Sequence, residues 1–199
     1  MIVYSVASPN GRYRELAQKL LDSCKRFSIP TRIHLMPDHG DRVKNCAVKA
    51  EALLAGLMTT RGRVCWMDAD CTVERYPELL IHGAYDMAVY NWRSDPENSL
   101  QLPADNAVLK SSTGVIAFDY TAPAIELLTR WHDRLQRSPI GDDLALDEVF
   151  NQYRPPVRPL WLPKAYNRMA RMWPDVAPII NHDWIDGGHA NAPQEAKAQ

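Results

Sequence analysis

Long apolar runs are missing from this 199-residue chain. None approaches the roughly 20 residues needed to span a bilayer, so no membrane-spanning helix is expected. A surplus of charge is missing too. The net charge of −1 excludes a global attraction to nucleic acid or to an anionic membrane. An anionic ligand must therefore be held by local cations or by a metal ion. The cysteines Cys24, Cys46, Cys65 and Cys71 show no C-x-x-C spacing. Each falls in or beside an apolar pattern, so they read as reduced core residues. There is no internal repeat, no low-complexity linker and no Gly-rich phosphate loop after the first apolar run. The last of these absences counts against a nucleotidylyltransferase. Met1-Ile2-Val3-Tyr4 reads as a short strand and not as a secretion signal, so a cytoplasmic location is the expectation.

What is present is the composition of an ordinary globular protein, with 46% hydrophobic and 24% charged residues. The length favours one domain, expected over residues 1–189, with a small polar tail at 190–199 expected to be mobile. Prolines cluster after Arg154 and predict an irregular C-terminal third.

Apolar spacing predicts a strand over 2–7, then turn chemistry at Ser8-Pro9-Asn10-Gly11. Tyr13, Leu16, Ala17, Leu20, Leu21, Cys24 and Phe27 keep helical spacing. A second strand is expected over 32–36. Val43, Ala47, Ala50, Leu54 and Leu57 then mark a second amphipathic helix, and a third strand over 63–67 follows. This alternation is the pattern of an α/β fold with a parallel sheet and helices on both faces. Further along, a short helix is expected over 76–80, a strand over 86–90 and a polar loop over 91–105. Val115-Ile116-Ala117-Phe118 reads as a strand preceded by Ser111-Ser112-Thr113-Gly114. A helix over 122–137 buries Ile125, Leu128, Trp131 and Leu135, and a second starts within 141–147 and stops before Pro155 and Pro156. Trp161-Leu162 and 178–182 are short strand candidates.

The most informative feature is the apolar run Val64-Cys65-Trp66-Met67 delivering Asp68-Ala69-Asp70. Side chains alternate along a strand, so Asp68 and Asp70 are expected on one side. The carboxyl end of a central strand is where open α/β sheets bind ligands. Two carboxylates there suit Mg²⁺ or Mn²⁺ carrying a phosphate. Asp-rich surface turns are the bland alternative.

His182, at the end of Ile179-Ile180-Asn181, is a candidate third ligand, because Mn²⁺ accepts imidazole beside carboxylates. An ordinary loop histidine is the alternative, and His189 is a weaker competitor. Asp142 and Asp143 read as helix-start carboxylates favoured by the dipole. Asp147 and Glu148 lie beyond that first turn and could bind sugar hydroxyls or act as a base; for Glu148 a solvated face is equally compatible. Lys49 on its own is a solvated lysine. Lys164, Arg168 and Arg171 form a basic stretch that could close over a diphosphate or be a plain charged loop.

In this order the pieces resemble the GT-A glycosyltransferases, the nucleotide-diphospho-sugar transferases, in the style of the glycogenin and galactosyltransferase-like members. The resemblance runs from Ile2 to His182. It implies a three-layer sandwich with a central, mostly parallel sheet. It implies that Ala7, Ser8 and Tyr13 border the nucleobase site and that Lys49 and Asp68 belong to the donor site. Ser112, Thr113 and Gly114 match the small-residue segment near the donor sugar. Asp147-Glu148-Val149-Phe150-Asn151 matches the Asp-Gln or Asp-Glu pair before an apolar helix. Trp161-Leu162-Pro163 and Tyr166-Asn167 match the stretch before the last core strand. Asp68, Asp70 and His182 match the metal ligands, for Mn²⁺ or Mg²⁺. The implied partners are a nucleotide-sugar donor, in the first place a UDP-sugar, and an unidentified acceptor hydroxyl. An inverting member needs a carboxylate base, for which Asp147 or Glu148 would serve; retaining members lack a clear one.

One departure is visible. His182 is followed by Asp183-Trp184-Ile185-Asp186-Gly187-Gly188, without the lysine that grips diphosphate in the family. That contact would fall to Arg168 or Arg171. Two other readings stand beside this one. Asp68-Ala69-Asp70-Cys71-Thr72 also resembles the D-x-D-x-T of haloacid-dehalogenase-like phosphatases, which would make Asp68 the nucleophile and Asp70 the general acid. Against it, two strand–helix units precede the motif, and no apolar strand leads into Gly141-Asp142-Asp143. A non-catalytic module binding a nucleotide or a partner is the third.

Overall fold

Alternation along the apolar runs sorts their side chains onto the two faces of one sheet. The computed structural model describes residues 1–9, 11–37, 39–95, 105, 107–138, 140–153 and 156–183. The expected tail at 190–199, and His189, lie outside them. In chain order the elements are β1 (Ile2–Ala7), α1 (Arg12–Arg26), β2 (Thr31–Leu35), α2 (Arg42–Thr60), β3 (Val64–Met67), β4 (Cys71–Val73), α3 (Glu78–His82), β5 (Met87–Asn91), β6 (Ser111–Phe118), α4 (Ala122–Arg137), α5 (Asp142–Tyr153), β7 (Pro159–Trp161) and β8 (Ile180–His182). Single 3-10 turns occur at Trp92–Ser94 and Lys164–Tyr166.

The main sheet has the order β2-β1-β3-β6-β5-β7, and β4 pairs with β8 in a separate two-stranded sheet. The pairs β1–β2, β1–β3 and β5–β7 are parallel. Only β6 runs against its neighbours, β3 and β5. The expected α/β sandwich with a mostly parallel sheet is therefore what forms. Tyr4, Val64, Trp66, Met87, Val89, Ile116 and Phe118 pack under α2, α4 and α5. Val3, Cys65, Met67, Ala88, Val115 and Ala117 pack on the opposite face with Leu20 and Cys24 of α1 and with β4 and β8.

Local chemistry sets the helix ends. Asp41 caps α2 by accepting from Val43 N, and Arg61, in the left-handed region at φ 49°, closes it. Thr121 caps α4 by accepting from Ala124 N, and Pro123 sits in its first turn, where no amide donor is needed. Gly56 on α2 leaves room for the Tyr4 ring, which a Cβ there would meet at 2.7 Å.

Three features differ from the sequence reading. β3 ends at Met67, and Asp68 to Asp70 form a turn closed by Cys71 N donating to Asp68 O at 2.9 Å. Strand alternation is thus not what aligns the two carboxylates. Ser111 to Gly114 lie inside β6 rather than before it. The short strands β4 and β8 leave the main sheet and pair with each other, Cys71 opposite His182.

Candidate metal and donor site

The turn after β3 gathers most of the expected residues. Ala7 at the end of β1 packs with Ala17 of α1 and Ala69 of the turn. Small side chains at that contact bring the first strand and the Asp turn close together. Ser8 follows Ala7, and Tyr13, 37% exposed, stands on the first turn of α1.

His182 arrives from the far end of the chain on β8. Its Nε2 lies 3.6 Å from Asp68 Oδ2 and 3.4 Å from Asp70 Oδ1. Donor atoms bound at about 2.1 Å to one ion stand about 3.0–3.4 Å apart, so His182 Nε2 lies near ligand spacing from each of the two carboxylates. Nδ1 of His182 lies 3.1 Å from Asn167 Oδ1, and Asn167 Nδ2 donates to Ser112 Oγ at 2.8 Å. With Nδ1–H donating to the amide oxygen, Nε2 is the atom that faces the carboxylates, the usual support of a metal-binding imidazole. Burial disfavours a charged His182, but the Asp70 hydrogen bond and the charges of Asp68 and Asp70 outweigh it and raise its pKa. Gly114 makes room for the ring: a Cβ there would fall 2.6 Å from Nδ1 and closer still to Cε1.

Lys49 is buried, only 3% exposed, and is not the solvated lysine its sequence context allowed. Its Nζ lies 2.7 Å from Asp142 Oδ2 and 3.2 Å from Asp68 Oδ1. It also donates to the Thr113 carbonyl at 3.0 Å and to Thr113 Oγ1 at 3.2 Å. Burial opposes the charge on Lys49, but Asp142 and Asp68 override it and hold the ammonium protonated. Burial likewise opposes ionisation of Asp142; the Lys49 charge and hydrogen bonds from Lys49 and Thr113 override it and lower its pKa. Asp68 Oδ1 also accepts from Trp66 Nε1 at 2.6 Å. Asp68 is thereby fixed from below and presents its other oxygen to His182.

A bulge directs two of these residues. Register between β5 and β6 shifts between Val89, opposite Ile116, and Tyr90, opposite Ser112. Thr113 consequently reaches Lys49 and Asp142, while Gly114 and Val115 both turn to the His182 side. Bulges commonly re-aim side chains beside functional sites.

The two expected acid–base residues part company. Asp147 accepts from Ser111 N at 2.7 Å and lies 3.3 Å from Lys110 Nζ. Burial pushes its pKa up to about 6, against the Ser111 hydrogen bonds and the Lys110 charge. It stands at the entry of β6, on the Ser111 amide. Glu148 instead turns to α4, where Arg134 Nε donates to its Oε2 at 2.6 Å, and it does not join the cluster. The expected cation Arg168 is also engaged elsewhere: it donates to Asn181 Oδ1, Trp173 O and Pro174 O at 2.9–3.2 Å, which ties the C-terminal segment together. Arg171 stands exposed nearby.

Sequence reasoning gave too little weight to Asp142 and Asn167. A usable signal existed for Asp142. The buried stripe of α2 is Ala50, Leu53 and Leu57, which turns Lys49 inward, and an inward lysine requires a buried carboxylate. Asn167 carried no such signal.

No family model and no curated protein matches the chain. Among solved structures it is similar to a glycosyltransferase involved in the glycosylation of the major capsid of PBCV-1. The TM-score is 0.63 at 11% identity, over 92% of this chain and 94% of that one. The chain shares the fold of that structure. Within this GT-A-like sandwich the Asp turn occupies the carboxyl end of β3, the edge at which open α/β sheets bind ligands. Among the described residues no helix is long and apolar enough to cross a membrane.

Proposed function

We propose that the chain is a metal-dependent glycosyltransferase that moves a sugar from a nucleoside-diphosphate donor, in the first place a UDP-sugar, to an acceptor hydroxyl. The observation that carries this reading is that His182 Nε2 lies 3.6 Å from Asp68 Oδ2 and 3.4 Å from Asp70 Oδ1 at the carboxyl end of β3, in a fold shared with a glycosyltransferase. These three side chains would hold Mn²⁺ or Mg²⁺, which when bound supplies Lewis-acid stabilisation to a departing nucleoside diphosphate.

The chain's own residues supply the rest. Lys49 and Trp66 orient Asp68, and Asn167 orients His182. Tyr13 offers an exposed ring beside Ser8 for the nucleobase. Ser112, Thr113 and Gly114 are the residues this reading assigns to the donor sugar. For an inverting reaction Asp147 is the better base candidate of the expected pair, because its raised pKa lies nearer neutrality. Glu148 is directed to Arg134. Diphosphate contact falls to Arg171 rather than to Arg168.

The test is a thermal shift with Mn²⁺ and a panel of UDP-, GDP- and CDP-sugars on the wild type and Asp70→Ala. Ligand binding only the native state raises the midpoint by mass action. A metal-dependent rise with one nucleotide, lost in the variant, supports the donor site and names the base. No rise with any donor, together with Mg²⁺-dependent phosphate release from an aryl phosphate, would establish the phosphatase reading instead. Silence in both assays leaves a non-catalytic module.

A further inference from the structure

Cys71 is the first residue of β4, and its Cα is paired directly with His182 across the β4–β8 ladder. Directly opposed residues of an antiparallel pair project to the same face. Asp70, Cys71 and His182 consequently bring a carboxylate oxygen, a sulfur and an imidazole nitrogen within 4.8 Å of one another. Cys71 is fully buried and His182 nearly so. Both walls of this pocket are set by backbone: Cys71 Sγ donates to Gly114 O at 3.7 Å, and the missing Cβ of Gly114 leaves the space that the imidazole fills.

That donor set is unlike the all-oxygen environment that hard ions such as Mg²⁺ select. One sulfur, one imidazole and one carboxylate suit borderline ions, Zn²⁺ and Co²⁺ above all. Donor atoms around a tetrahedral ion stand about 3.4–3.8 Å apart for bonds of about 2.0–2.3 Å, so closing this trio asks for side-chain shifts on the order of 1 Å. Asp70 and His182 are shared with the proposed Mn²⁺ or Mg²⁺ site, whereas Asp68 belongs to that site alone and Cys71 to this one alone.

We propose that Asp70, Cys71 and His182 form a thiolate-containing site for Zn²⁺-class ions that overlaps the oxygen-and-imidazole site of Asp68, Asp70 and His182. The two would not be filled together, because they share the Asp70 carboxylate and the His182 imidazole. On binding, the Cys71 S–H bond is replaced by an S–metal bond and the proton leaves to solvent. Zn²⁺ then competes with the activating ion through a residue that the activating ion does not need. This rests on the metal site proposed above.

The experiment uses the whole chain, freed of metal, titrated with Co²⁺ and followed by absorbance. A thiolate bound to Co²⁺ gives a strong near-ultraviolet charge-transfer band that oxygen and nitrogen ligands do not give. The expected result is that band in the wild type, its loss in Cys71→Ser, and its persistence in Cys65→Ser. Mn²⁺ binding, read from the loss of the free-ion resonance, is expected in both variants. Zn²⁺ should displace Mn²⁺ at least tenfold more effectively from the wild type than from Cys71→Ser. If Co²⁺ and Mn²⁺ bind the wild type without any thiolate band, this inference fails and the metal site stands. A band that survives Cys71→Ser assigns the thiolate to another cysteine and also overturns it. If no divalent ion binds, both fail. The wild-type spectrum remains decisive should Cys71→Ser not fold.

Discussion

Two carboxylate–cation clusters on α5 share their distances and differ in nearly everything else. Asp142 meets Lys49 at 2.7 Å and Glu148 meets Arg134 at 2.6 Å. The first pair has side chains 3% and 11% exposed, the second 25% and 40%. A buried ion pair is costly to break, because the surviving charge is left in a medium that cannot solvate it. A partly exposed pair is screened, and water takes over when one partner goes. The buried cluster also reaches Asp68, so its loss would be felt at the proposed metal site. Among the described residues the outer cluster's hydrogen bonds stay on α4, its cap Ser138 and α5. The lesson is that contact distance does not rank ionic interactions; solvent access does.

The sharpest way to break that contrast is Lys49→Met, which strands Asp142 and Asp68. A loss of about 3–5 kcal/mol is expected from urea unfolding. The double variant Lys49→Met/Asp142→Leu should recover much of it, since no charge is then left unpaired in α5. A double variant as unstable as the sum of the two singles would show that the pair is not coupled.

Asp147 is an intermediate case, buried but held by a backbone amide and a half-exposed lysine. Its folded pKa of about 6 lies above the ordinary aspartate value of about 3.9. The folded state therefore binds the proton more tightly than the unfolded state. Its favourable contribution is complete below pH about 4 and is lost as the pH rises to about 6. Wild type minus Asp147→Asn stability should fall across that window by roughly 3 kcal/mol at most. A flat difference from pH 4 to 6.5 would contradict the raised pKa.

Asn167→Ala removes the group that orients His182 without touching the Asp turn. Loss of such a support should weaken metal binding by about 10–100-fold, read by Mn²⁺ titration, and because Asn167 is fully buried the metal-free protein should also lose about 1–3 kcal/mol in urea unfolding. The smallest effect belongs to the outer cluster. Glu148→Gln should cost about 0.2–1 kcal/mol, and less at high salt. It should also leave Mn²⁺ affinity unchanged, and a tenfold fall in that affinity would return Glu148 to the site.

Much of the scaffold is readable because its determinants are local. The alternation of β1, β2 and β3 and the stripe of α1 depend on neighbours within one or two turns of the chain. The termination of α4 and the Pro-limited end of α5 are local in the same sense. β4 and β8 are not readable, because three-residue strands carry too little pattern and are defined by pairing across more than a hundred residues. The β6 bulge is equally hidden: Ser111-Ser112-Thr113-Gly114 reads as loop chemistry, and only pairing with β5 makes it strand.

Sequence alone determined the α/β alternation and the position of Asp68 and Asp70 after a buried strand, because periodicity and strand length are properties of a continuous segment. It also singled out His182 as a residue ending an apolar run. Only the tertiary structure decided that Lys49 is buried against Asp142, that Glu148 faces Arg134, that Arg168 is engaged in its own segment, and that Cys71 lies opposite His182. These outcomes depend on which faces of distant elements meet. A charge buried between two helices and a turn finds its partner by proximity in space, which a linear pattern does not encode.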